Sequence, residues 1–216
     1  MVRTMLKYEK ISKIIPLFQP GDRVLVEYTS NVPISKILWQ SITHHILNDE
    51  TIIIFDFYGI GDITFRNYLR SAVSEEYKKL IESKKNIYLF KIGPGGASYG
   101  RIVGQEKVYT DTESFLKAYY SMVHRALSLP RKPRYAVVFG LSEYLYFTGS
   151  SGLFNLLNVI STIPIEDWVT VVPLNIDAID GRQRAILEEI SSWVIRITEE
   201  GCQIIKGGKE RDDTKR

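Results

Sequence analysis

Gly21–Leu47 reads GDRVLVEYTSNVPISKILWQSITHHIL, and its three parts decide the fold. Val24, Leu25 and Val26 make the apolar run of a short buried strand, Arg23–Tyr28. The polar residues Thr29, Ser30 and Asn31 interrupt that run. Pro33 then suits the first turn of a helix, where its missing N–H has no partner to lose, and Ser30 or Asn31 supplies the cap. A strand, a polar loop and a helix over Pro33–Leu47 form the opening unit of a sheet whose strands run parallel and are joined by crossover helices.

The same rhythm continues outward. Strands are expected at Thr51–Phe57, Asn86–Ile92, Arg134–Leu141 and Trp168–Leu174, followed by Val194–Thr198 and Cys202–Ile205 as a hairpin turning at Glu199, Glu200 and Gly201. The runs TIIIF and YAVVF are apolar on both faces, which places them centrally. Helices are expected at Lys7–Ile15, Thr64–Ser83, Thr112–Leu127, Ser151–Ile160 and Arg182–Ser191. Asp111 or Thr110 caps the helix that begins at Thr112, and Arg101–Tyr109 reads as a short hairpin or edge excursion. The expectation is a three-layer α/β body over residues 1–206, mainly parallel with a C-terminal antiparallel hairpin, and a polar tail over 207–216.

Composition narrows the function classes. The formal charge is +3, and the tail from Lys206 carries five basic against three acidic residues, leaving +1 on the body. A nucleic-acid-binding domain concentrates basic residues in a stripe, so nucleic acid is an unlikely partner. The apolar runs are far shorter than the ~20 residues that cross a bilayer, and MVRTMLKYEK has no apolar leader core. One cysteine, Cys202, suits a reducing compartment. A cytoplasmic location without membrane contact is expected.

The loop carries the chemistry. A phosphate-binding loop reads G-x-x-x-x-G-K-[ST]: glycines let backbone N–H groups close on phosphate, and the lysine reaches the terminal oxygens. The eight corresponding residues are Tyr28, Thr29, Ser30, Asn31, Val32, Pro33, Ile34 and Ser35. Tyr28 and Pro33 replace the glycines and Ile34 the lysine, and only Ser35 keeps a hydroxyl suited to a metal. With this loop, the entry Pro20-Gly21-Asp22 before VLVE, and Ile37-Leu38-Trp39-Gln40 in the following helix, the chain resembles the RecA-like ATPases of the KaiC type. More narrowly it resembles an uncharacterised archaeal, Thermococcales-type family of degenerate P-loop-fold proteins. The resemblance runs over roughly Tyr8 to Lys206 and implies a RecA-like sheet.

A second landmark of that family is an acidic residue that ends a buried strand and holds Mg²⁺ through water. Here the strand YAVVF is followed by Gly140, and Glu143 comes three residues later. Asp56, at the end of an earlier strand, stands where the resemblance places a base that activates water, although Asp56, Tyr58, Gly59 and Asp62 also read as an ordinary strand-to-helix turn. Both phosphate and metal groups are thus missing from a preserved scaffold. That joint loss leads to the expectation of a non-catalytic interaction or regulatory module with no cofactor and weak or no nucleotide binding, and the resemblance implies a protein partner or homo-oligomer. The alternative is a small-ligand protein using the strand-end cleft, lined by Ser30, Asn31, Ser35, Asp56, Gly140, Ser142 and Glu143. That alternative predicts a closed polar pocket there, whereas the interaction module predicts a flat or aromatic surface.

Other strings favour plainer readings. GPGGASYG, Gly93–Gly100, precedes a strand-like segment and not a helix, so a flexible turn outweighs an anion nest. Gly140-Leu141-Ser142-Glu143-Tyr144 has the outline of a nucleophile elbow, but Tyr144 crowds it, and His44, His45 and His124 all precede Ser142. His44 and His45 point about 100° apart on one helix, and no metal site is expected. His124 reads as a packing residue. Tyr144, Tyr146, Phe147 and Phe154 read as core or interface aromatics.

Overall fold

A computed structural model of the chain describes residues 15–47, 50–107, 111–130, 133–163 and 166–207. Eight strands form one sheet: β1 (Arg23–Tyr28), β2 (Ile52–Phe57), β3 (Ile87–Ile92), β4 (Arg101–Glu106), β5 (Tyr135–Phe139), β6 (Val169–Asn175), β7 (Trp193–Thr198) and β8 (Gly201–Lys206). Their spatial order is β4-β3-β2-β5-β6-β1-β7-β8. Every pairing is parallel except β7 with β8, the expected C-terminal hairpin.

Six α-helices appear among the described residues: α1 (Ile34–Leu47), α2 (Ile60–Leu69), α3 (Ser74–Ser83), α4 (Thr112–Leu127), α5 (Leu141–Thr162) and α6 (Gly181–Ile190). Alternation along each strand sorts the core into two layers. Val24, Val26, Ile52, Ile54, Val137 and Phe139 pack with α1 and α2 on one face. Leu25, Ile53, Phe55, Val138 and Val194 pack with α4, α5 and α6 on the other. The result is the expected three-layer α/β arrangement. β2 and β5 are buried at every position, in keeping with their unbroken apolar runs.

Several elements differ from the sequence reading. Thr64–Ser83 is two helices, not one: the chain turns at Arg70–Val73, where Ser71 donates through both its N–H and its hydroxyl to the Tyr68 carbonyl. Arg101–Glu106 is a parallel edge strand beside β3 and not a hairpin. α5 begins ten residues before the expected Ser151. It continues through a kink at Gly149, whose φ of 59° and ψ of −142° lie outside helical space. The side chain of His124 is exposed, with its ring 4.5 Å from that of Tyr120. The expected first helix, the side chains of His44 and His45, and the tail from residue 208 lie outside the described residues.

Candidate functional site

The C-terminal ends of the parallel strands gather most of the residues singled out above. β5 and β6 pair only from Tyr135 to Val137 and from Val169 to Val171. Beyond that point they part, and Pro173, which has no N–H to give, is accommodated in β6 without loss of a β5 bond. The hydroxyl of Ser142 closes the gap by accepting the Asn175 N–H at 2.8 Å. Ser142 is buried by this bond and serves as a strut between α5 and β6.

The Tyr28–Ser35 loop is held by carboxylates from distant parts of the chain. The Ser30 N–H donates to Asp177 Oδ2 at 2.8 Å, and Asn31 Nδ2 donates to Glu199 Oε1 at 2.8 Å. Asn175 Nδ2 donates to the Ser30 hydroxyl at 3.2 Å, and the Thr29 hydroxyl donates to Asn31 Oδ1. The Val32 and Ile34 N–H groups are spent on the carbonyls of Thr29 and Val32. Pro33 has none to offer. Val32 and Ile34 are themselves buried in the layer beneath α1.

Gly140 ends β5 in the left-handed region, with φ 86° and ψ 12°. A Cβ there would lie 2.5 Å from the Phe57 carbonyl oxygen and 2.9 Å from its Cβ. A side chain at this position would run into the backbone of β2.

Asp56 is fully buried and faces α2. It accepts the N–H groups of Gly61 at 2.8 Å and Asp62 at 3.3 Å, and the Tyr99 hydroxyl at 3.0 Å. A carboxylate at a helix N-terminus satisfies donors that have no intrahelical partner and complements the helix dipole. Burial nevertheless pushes its pKa above the ordinary carboxylate value, despite these bonds and the nearby Lys91 charge. Burial and the Asp56 charge also drive the Tyr99 hydroxyl well up. Asp56 is therefore committed to α2 and is not drawn together with Ser142 and Glu143.

Neighbouring Lys91, also buried, donates to the carbonyls of Gly96 at 2.7 Å and Gly95 at 3.4 Å. Gln105 Nε2 donates to the Gly93 and Gly95 carbonyls, and the Ser98 N–H is held by Asp62. The glycine-rich loop turns carbonyls toward these donors, the opposite polarity to an anion nest.

Glu143 lies in the first turn of α5 and is half-buried. Burial raises its pKa. Burial first, and the Glu143 charge second, also raise the pKa values of Tyr28 and Tyr58. Tyr58 has a φ of 60°, the only positive value outside glycine among the described residues. Its N–H donates to the Ile92 carbonyl at 2.8 Å, and its ring stands 6.1 Å from Phe115 and 6.2 Å from Phe147. Phe147 in turn touches Tyr146 edge-on at 5.3 Å. These two are strongly exposed, at 73% and 68%.

Sequence reasoning missed the ion network around Glu27. This β1 carboxylate is fully buried, receiving Arg184 Nε and Nη2 and Arg196 Nε, each at 2.8 Å. Glu188 joins through Arg184 at 2.9 Å. Burial alone would raise the Glu27 pKa, but the two guanidinium groups outweigh it and the net shift is downward. The only signal in the sequence was a charge in the middle of RVLVEY. Among the described residues no group of three His, Cys, Asp or Glu side chains is placed to hold a metal. No helix among them is long and apolar enough to cross a membrane.

The family model described as Pyrococcus protein of unknown function, DUF257, matches residues 13–209. The chain belongs to this family. Comparison with curated proteins finds no match. Among solved structures, the fold is similar to PH0250 of Pyrococcus horikoshii, at a TM-score of 0.71 and 19% identity over 92% of each chain. It is also similar to an uncharacterised protein, PH0321, from the same organism, solved in complex with an unknown peptide, at a TM-score of 0.62 and 15% identity over 93% of this chain and 90% of that one. A KaiC-like protein, PH0186, also from P. horikoshii, aligns at a TM-score of 0.58 and 17% identity, covering 90% of this chain and 83% of that one. This member of the DUF257 family thus has a KaiC-like fold.

Proposed function

We propose that this DUF257 protein is a non-catalytic interaction module, whose former phosphate loop no longer takes nucleotide and whose strand ends hold a segment of another polypeptide. The observation that carries this reading is the Asp177 carboxylate bonded to the Ser30 N–H. A loop amide that would donate to a phosphate oxygen in a working P-loop already donates to an anion belonging to the chain.

The surrounding groups support the same conclusion. The lysine position is Ile34, buried in the apolar layer, and Gly140 leaves no room for a metal-holding carboxylate. Phosphoryl transfer depends almost entirely on positioning and on stabilising charge, and these positions supply neither. The polar groups that a small ligand would need, Ser30, Asn31, Ser142 and Asn175, bond to partners within the chain. Exposed aromatic rings stand on α5 one turn beyond Ser142, and a protein of the same fold has been solved with a peptide.

Thermal unfolding with and without Mg²⁺-ATP tests the loss of nucleotide binding. A ligand present at 100 times its Kd stabilises by ~2.7 kcal/mol. At ~2–4 °C per kcal/mol for a domain of this size, that is a shift of about 5–11 °C. No shift and no hydrolysis above background are expected. A shift of that size, or Mg²⁺-dependent release of phosphate, overturns the proposal.

A further inference from the structure

Glu143 is a half-buried carboxylate that none of the described Lys or Arg side chains meets in an ion pair. Burying a charge is costly, and Glu143 is offset by its own backbone N–H in the first turn of α5, with none of the described cations paired to it. Glu27 has two guanidinium groups, and Asp56 has three donors. The Glu143 charge is felt by the hydroxyls of Tyr28, at the end of β1, and Tyr58, just past the end of β2.

Next to it, one helical turn along α5, an aromatic surface begins. Tyr58, Phe147 and Tyr146 touch in sequence, from half-buried to strongly exposed. Tyr58 is kept in a left-handed conformation, which a bulky side chain adopts only at an energetic cost. The glycine that follows shares that conformation. The Tyr58 ring lies against both Phe115 and Phe147. The kink at Gly149 lies just past the exposed rings.

We infer that Glu143, Tyr58, Phe147 and Tyr146 form a docking surface for a peptide segment that places a cationic side chain, Arg or Lys, beside an apolar one. This rests on the proposed interaction role and names the partner chemistry. Charge complementarity selects the cation: it would neutralise Glu143 in a partly desolvated position, where a charge-assisted hydrogen bond is stronger than in water. The tyrosine rings favour a cation over their faces. Phe147 and Tyr146 then supply the apolar contact, and aromatic residues of this kind dominate binding energy at protein interfaces.

The test pans a random dodecapeptide display library against wild-type protein and against Glu143→Gln. Selected peptides are then synthesised and their affinities measured by fluorescence anisotropy. Phe147→Ser, at a strongly exposed position, is included because it leaves the core untouched. Wild type is expected to enrich peptides with Arg or Lys adjacent to Leu, Phe or Trp. Their affinity is expected to fall at least tenfold in each variant, with the thermal midpoint of Phe147→Ser within about 2 °C of wild type.

Enriched peptides lacking basic residues, or affinities unchanged in both variants, overturn the inference while leaving an interaction role intact. No enrichment at all, together with a monomer in size-exclusion chromatography, sinks both. A wild-type dimer that Phe147→Ser dissociates assigns the surface to a second copy of the chain and also overturns the peptide assignment.

Discussion

Replacing Gly140 by alanine adds a single methyl group and asks whether the end of β5 can carry any side chain. The backbone conformation there, φ 86°, costs an L-residue about 1–2 kcal/mol. The added Cβ would also lie 2.5 Å from the Phe57 carbonyl oxygen and 3.1 Å from its carbonyl carbon. Those atoms belong to the backbone of a central strand and cannot rotate away. Forcing an extra carbon into such packing costs about 1–3 kcal/mol. The sum is roughly 2–5 kcal/mol, a fall in Tm of about 4–20 °C at ~2–4 °C per kcal/mol. Gly95→Ala separates the two contributions, because Gly95 has a φ of 75° with nothing within 4 Å of its Cβ position. That variant should lose only the conformational share, about 1–2 kcal/mol. Thermal unfolding by circular dichroism, wild type against both variants, reads the difference. Equal losses in the two would refute the steric argument.

Two further outcomes follow from the buried carboxylates. Glu27→Gln leaves Arg184 and Arg196 facing a neutral amide; because both arginines keep some solvent access, the loss should sit near ~3 kcal/mol, the low end for a broken buried pair. Since the folded pKa of Glu27 lies below the ordinary 4.5, its contribution is complete above that value and fades as pH falls through the folded pKa. Melts from pH 7 down to pH 3 should therefore show the gap between wild type and variant narrowing, and a constant gap contradicts the assignment. Tyr99→Phe removes one donor from Asp56 and should cost about 1–2 kcal/mol at pH 7. Asp56 has a folded pKa above 3.8, so wild type itself loses stability as pH rises from that value through the folded one, and the variant should lose more. A larger cost at pH 4 than at pH 7 would contradict the role given to the Tyr99 hydroxyl.

The parts of the fold that were legible in the sequence are those governed by local pattern. Thr51–Phe57 and Arg134–Leu141 declared themselves as central strands because burial on both faces demands unbroken apolar residues. The end of α2 was hidden because Arg70-Ser71-Ala72-Val73 contains neither glycine nor proline, and the turn is made by the Ser71 N–H and hydroxyl, both bonded to the Tyr68 carbonyl. The start of α5 was hidden for the opposite reason. Gly149 and Gly152 look like a break, yet the helix passes through them with a kink. At the strand ends, the apolar and proline character of Val32, Pro33 and Ile34 could be read directly. The carboxylates that hold the loop could not, since Asp177 and Glu199 stand 147 and 168 residues away from their partners. Only the sheet order brings β6 and β7 to either side of β1.

The bond from Ser30 to Asp177 has a thermodynamic consequence for any anion arriving from solution. Asp177 is an intramolecular competitor, oriented by its own N–H on Asn175 Oδ1, and its local concentration does not fall when the protein is diluted. An incoming phosphate must first break a charge-assisted bond of about 1.5–3 kcal/mol. It is then left beside the displaced negative charge. At 1.4 kcal/mol per decade, the displacement alone weakens binding by roughly 10- to 150-fold. A lysine placed at position 34 would not remove that handicap, because the Ser30–Asp177 bond would still have to be broken.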